Sequence, residues 1–258
     1  MNLLIAVLSF DGDAMNGNHQ KIRDTWGKDL PAIGATLRFF IDTRLNVLRG
    51  QPKRDEVIVP WLQPCKNGHP QWVSKRGCCQ NYWEFETKEM LKWSLANGYD
   101  YTFLCQNDTF CIPRLLAKCG FENGDVSGHW RHLEENLPYG TKTQGLFIND
   151  PNDPTDLGEP VYDTPEYGAG VFLSRKAAEV FINHSPLHWQ TEFQIGQPLG
   201  EALASGELTA YDIPNYRGVV TWHYVSATKG LRYYPNNPQS MFWMKEMYER
   251  HGRDGSAS

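Results

Sequence analysis

Tyr99 to Ile112 reads YDYTFLCQNDTFCI. Three β-prone residues, Tyr101, Phe103 and Leu104, run into the polar triplet Gln106-Asn107-Asp108, and Thr109-Phe110-Cys111-Ile112 then restore the apolar character. A short β-prone run that ends in a carboxylate predicts a buried strand delivering a polar group to one edge of a sheet. In open α/β sheets the carboxyl edge is where ligands bind. An Asp beside two amide side chains offers the oxygens that a hard divalent cation takes. The same Asn-Asp pair also suits an ordinary strand-to-turn junction, because both residues favour turn geometry. The surrounding chain has to decide between the two.

Upstream, Trp83, Thr87, Met90, Leu91, Ser94 and Leu95 share one face of a helix predicted over Tyr82 to Asn97, which Asn97-Gly98 ends. That stripe reads as core. Leu3–Ser9, Thr36–Ile41 and Val57–Val59 read as strands, and Gln20 to Gly27 as a short helix stopped by glycine. The order strand-helix-strand, repeated through residue 112, predicts a mostly parallel α/β sheet. Asp42 closes the second strand, where an acid can accept hydrogen bonds from a ribose or a base, or cap a turn. Residues 61–77, rich in Pro, Gly, Cys and Trp, form a loop too long for a minimal connector.

Downstream, a short helix (Arg114 to Lys118) precedes Gly124-Asp125-Val126, and residues 140–158 read as a long polar loop. In Tyr167 to Arg175, Gly168 and Gly170 permit the backbone to approach a ligand closely. The segment lacks the GxGxxG pattern of a dinucleotide loop. Helices follow over Lys176–Asn183 and Leu199–Ser205, with Glu192 upstream of the second, which by itself reads as an ordinary helix-start carboxylate. Val219 to His223 reads as a last strand ending in a histidine, and the chain from Tyr233 onward as a tail that ends frayed.

With 258 residues, 40% hydrophobic and 21% charged, the composition is that of a globular protein with a sizeable core. The 9 Trp, 12 Tyr and 12 Phe suit stacking on sugars or nucleobases as well as core packing. A net charge of −5 argues against a general phosphate-backbone binder. The opening apolar run lacks a basic leader and is too short to span a bilayer, which predicts a cytoplasmic protein without a membrane segment. The six cysteines show no zinc spacing and read as buried thiols.

Four segments, in order, resemble one family. Ile22-Arg23-Asp24-Thr25-Trp26-Gly27 resembles the IRxTWG motif of the β-1,3-glycosyltransferases, the group that includes β-1,3-galactosyltransferases, core 1 synthases and Fringe. Tyr101 to Cys111 resembles that family's strand leading into DDDTF, Tyr167 to Arg175 its YxxGxGYxLSR segment, and Glu192 to Gly196 its EDVxxG or DDxTxG element. The resemblance implies a GT-A-like fold, with one catalytic domain over residues 1–240 and a C-terminal helix or tail over 241–258. Within that domain it places the nucleotide-sugar half at 1–112 and the acceptor side at 113–240. It further implies an inverting, UDP-sugar-dependent hexosyltransferase using Mn²⁺ or Mg²⁺. Donor contacts are expected from Arg23, Trp26, Asp42, Gln106, Asn107, Asp108, Gly168 and Gly170, metal ligation from Asp108 and His223, and the catalytic base from Glu192. Asp125, Asp163 and Glu166 are competing carboxylates.

The sequence departs from the family's pattern in two places. Two carboxylates of the triplet are replaced by the amides Gln106 and Asn107, which removes negative charge from a cation site. Glu192 stands where the pattern has Asp, one methylene longer. A non-catalytic binder of nucleotide-sugar or glycan on the same fold is therefore the alternative. The acceptor hydroxyl is open among a glycan, a modified nucleobase of DNA and a small molecule, a choice the loops at 61–77 and 140–158 would make.

Overall fold

Leu3, Ile5 and Val7 are buried on one face of β1 (Leu3–Phe10), while Leu4, Ala6 and Leu8 are buried on the other. A strand apolar on both faces belongs at the centre of a sheet covered from both sides. The computed structural model describes residues 1–10, 17–42, 51–59, 82–130, 142–147, 159–162, 170–184, 196–214, 220–222 and 244–251. After β1 come α1 (Asn18–Asp24), a 3-10 segment (Trp26–Ile33), β2 (Ala35–Asp42), β3 (Glu56–Val59), α2 (Tyr82–Ala96) and β4 (Tyr101–Gln106). The chain continues through β5 (Phe110–Cys111), α3 (Pro113–Leu116), β6 (Val126–Gly128), β7 (Lys142–Phe147), β8 (Glu159–Tyr162) and β9 (Val171–Ser174). Then follow α4 (Arg175–Asn183), α5 (Gly196–Ala204), β10 (Ala210–Asp212), β11 (Thr221–Trp222) and α6 (Met244–His251).

Seven strands form the main sheet in the order β10-β6-β9-β4-β1-β2-β3. β1 runs parallel to both β2 and β4, while β9 runs antiparallel to β4 and β6. The sheet is thus mixed and mostly parallel, as the alternating order predicts. One layer, built from α1, the 3-10 segment and α6, buries Ile22, Trp26, Leu30 and Met244 against Ile5, Phe39 and Phe103. On the other face α2, α4 and α5 bury Met90, Leu91, Phe181 and Leu199 against Leu4, Phe40 and Leu104. Burying a large apolar side chain in this way contributes roughly 1.5–3 kcal/mol each.

Two expectations are corrected here. Gly27 does not stop α1: the helix ends at Thr25, whose hydroxyl donates back to Lys21 O at 2.6 Å. Gly27 lies inside the following 3-10 segment, where a β-carbon would sit 2.7 Å from Ile22 O and 3.0 Å from Leu37 Cδ2. Close packing, not a left-handed cap, demands glycine there. Residues 140–158 are not all loop either, because Lys142–Phe147 pairs antiparallel with Glu159–Tyr162. Their polar composition hid strands whose ladder needs a partner beyond the intervening residues.

Candidate functional site

β1, β2 and β3 step in one direction across the sheet, and β4 then returns to the other side of β1. The carboxyl ends of β1 and β4 therefore flank a topological switch point, the place where open α/β sheets leave a crevice for ligands. Leu8 is in register with Gln106, so Ser9 and the Gln106-Asn107-Asp108 triplet emerge side by side at this edge. A tight turn follows, closed by Thr109 N–H donating to Gln106 O at 3.1 Å. It holds Asp108 at 7% exposure, while Gln106 and Asn107 remain half-buried.

The ladder between β5 and β11 adds a second element to the same edge. Thr221 pairs with Cys111 and Trp222 with Phe110. The residue before His223 is thereby brought opposite the second residue after Asp108. His223 itself, the expected second metal ligand, lies outside the described residues. So do Glu192, Gly168, Asp163 and Glu166.

Two hydroxyls that the sequence reading passed over are buried in these segments. Ser9 Oγ (residue 1% exposed) and Thr221 Oγ1 (residue fully buried) have no hydrogen-bond partner among the described residues. A buried hydroxyl left without a partner costs roughly 1–3 kcal/mol, so such groups call for an explanation. For Ser9 the available signal was a polar residue near the end of an apolar strand, the same one that singled out Asp42 and Asp108; Thr221 opens β11 and carried no such signal.

The other expected donor contacts divide. Asp42 closes β2 at the carboxyl edge, paired with Phe10 and Val59, though its side chain lies outside the described atoms. Arg23 is engaged elsewhere. Its Nε donates to Asp55 at 2.7 Å and its Nη2 to Asp55 at 2.8 Å and Glu56 at 2.9 Å, with the guanidinium 4.8 Å above the Phe39 ring. Burial lowers the Arg23 pKa, but the two carboxylates outweigh it and hold the group more firmly charged than usual. Phe39 is three residues short of Asp42, about 10 Å of strand. Trp26 is fully buried in the core and presents no surface to a ligand. Gly170 has φ +95°, and a β-carbon there would come closer than 3.0 Å to the Phe103 ring. Its missing side chain answers to core packing.

Asp125, one of the competing carboxylates, is structural. Its Oδ1 accepts from Ser174 Oγ at 2.7 Å, and its Oδ2 accepts from Thr209 N and Oγ1, each at 3.0 Å. Burial pushes the carboxyl up, but these hydrogen bonds, helped by Lys176, hold it below the usual range. Burial also pushes the Cys105 and Cys111 thiols well up and that of Cys119 to about 12, so the three described cysteines are inert thiols.

For a divalent cation, Asp108 and the two amides supply hard oxygen donors at the edge. No cluster of three or more His, Cys, Asp or Glu gathers among the described residues. The described donors suit such an ion chemically, and further ligands would have to come from segments such as that of His223. No protein-family model matches the chain, and no curated protein matches it.

Proposed function

We propose that the chain is an inverting glycosyltransferase of the GT-A type, moving a sugar from a UDP-sugar to an acceptor hydroxyl. The observation that carries this reading is the position of Asp108, buried at the switch point, with the β11 strand that leads to His223 paired beside it. In this reading Asp108 and His223 hold Mn²⁺ or Mg²⁺, and Gln106, Asn107 and Asp42 orient the nucleotide. A bound cation offsets charge developing on the diphosphate leaving group. Glu192 accepts the proton from the acceptor hydroxyl as its oxygen bonds to the anomeric carbon. The bond from that carbon to the diphosphate breaks on the opposite face and its electron pair leaves with UDP, so the configuration inverts.

A second reading, a non-catalytic nucleotide-sugar binder, is favoured by the single carboxylate in the triplet. No described helix is long and apolar enough to cross a membrane, and a cytoplasmic site of action accompanies either reading as a proposal. A panel of UDP-sugars, assayed for slow Mn²⁺-dependent release of UDP, separates the two because donor hydrolysis needs no acceptor. Metal-dependent release from one donor supports the transferase. Saturable binding without release supports the binder, and absence of binding to every donor overturns both.

A further inference from the structure

At the other end of β2, away from the switch point, the described residues leave an edge of the sheet open. Phe39 N–H donates to Asp55 O at 2.9 Å, so the odd-numbered residues of β2 turn their backbone groups toward the β3 side. β3 covers only Phe39 to Asp42 on that side. Just before β3 the chain turns away, with Glu56 N–H donating to Lys53 O at 2.9 Å. Among the described residues no strand therefore pairs with the outer edge of Ala35–Arg38. Leu37 O accepts from the guanidinium of its own neighbour, Arg38, at 2.7 Å. A charged residue folded over an open edge is how natural sheets discourage unwanted pairing. Beside this edge opens a cleft of about 490 Å³, floored by Leu30 and Leu37.

The charges around the cleft favour one kind of occupant. Arg23 is committed to Asp55 and Glu56. Lys28 and Arg38 also line the cleft, and no carboxylate pairs with either among the described residues. Lys28 is exposed, with Nζ 4.5 Å over the Tyr248 ring, and Arg38 lies 5.8 Å over Trp93. Two cations without a carboxylate partner among the described residues flank this strand edge and, on a chain of net charge −5, form a local positive rim.

We propose that this edge receives an extended acidic segment of a partner protein, which adds as a strand beside Ala35–Arg38. The incoming backbone N–H takes the Leu37 carbonyl, and Arg38 and Lys28 turn to the segment's carboxylates. Main-chain bonds supply the register and alternate side chains the selectivity, as in other strand-addition complexes. The site is independent of the transferase reading, since Ala35–Arg38 lie four to seven residues, roughly 13–23 Å of strand, from the carboxyl end of β2 at Asp42.

The test uses the full chain and a fluorescein-labelled ten-residue peptide alternating valine and glutamate, with an alternating valine-lysine peptide as control. The acidic peptide is expected to bind saturably, to leave the basic one behind by at least about tenfold, and to slow hydrogen exchange of the amides across residues 35–38. Exposed ion pairs contribute up to about 1 kcal/mol, so Lys28→Glu should weaken binding up to about fivefold, and with Arg38→Glu about tenfold or more. The Lys28→Glu variant alone, at an exposed position, keeps the test valid should the double variant unfold. Equal binding of both peptides, unchanged exchange across 35–38, or complete displacement by inorganic phosphate at matched ionic strength would overturn the proposal; the last would make this a bare anion site.

Discussion

Trp222 lies across an antiparallel ladder from Phe110, which ties the strand leading to His223 to the turn that carries Asp108. Trp222, the residue before the expected ligand His223, is thereby held beside the turn that carries Asp108, more than 110 residues earlier in the sequence. If Asp108 and His223 share one ion, UDP should bind more tightly with Mn²⁺ than without it, and both Asp108→Ala and His223→Ala should abolish most of that gain. Calorimetry with UDP in the presence and absence of Mn²⁺ reads this directly. Equal affinities in the wild-type chain would remove the cation from the proposed function.

Glu192→Gln keeps the shape of the side chain and its capacity for hydrogen bonds while removing its ability to take a proton. General-base catalysis contributes about 10²–10⁴-fold, and kcat should fall by that range with UDP affinity little changed. Single-turnover kinetics at saturating donor separate the two quantities. Wild-type kcat in the variant would move the base elsewhere, and loss of UDP binding would make Glu192 a structural residue.

Gly170→Ala should destabilise the fold by about 2–4 kcal/mol, combining a left-handed backbone with an overpacked contact on Phe103. The urea midpoint measures it. Because the clash is with one ring, Gly170→Ala combined with Phe103→Leu should lose less than the sum of the two single substitutions. Strict additivity would show that the ring is not what excludes a side chain at this position.

Asp125 should give the fold a specific acid sensitivity. Its folded pKa lies below the unfolded value near 3.9. Its contribution is therefore complete above that value and is lost as pH falls through the lower folded one. Asp125→Asn should cost about 1 kcal/mol at neutral pH, a modest value because the carboxylate is partly exposed. The gap between wild-type and variant urea midpoints should close as pH drops below about 4. A gap independent of pH would assign the effect to hydrogen-bond geometry instead of charge.

Residues 3–8 are apolar on both sides without a break, and residues 101–105 are interrupted only by Thr102, whose buried hydroxyl bonds Ser94, so their composition places them inside a doubly covered sheet. The polar residues that close them mark the carboxyl edge of the sheet for the same local reason. The sequence also determined α2 and α4, because helical periodicity repeats within one segment. The tertiary structure decided what those local signals cannot contain. β6 and β10 are three residues long, and β9 runs against its neighbours, so each is defined only by its partners in the sheet. Glycine at 27 and 170 declares conformational freedom but not the object it approaches, Ile22 O and Leu37 in one case and the Phe103 ring in the other. Arg23 sits in a motif that points toward a ligand, yet its charge is met by Asp55 and Glu56, 32 and 33 residues along the chain. Periodicity and turn chemistry act over a few residues and can be read in one dimension, whereas strand direction, close approach and charge pairing depend on segments that meet only when the chain has folded.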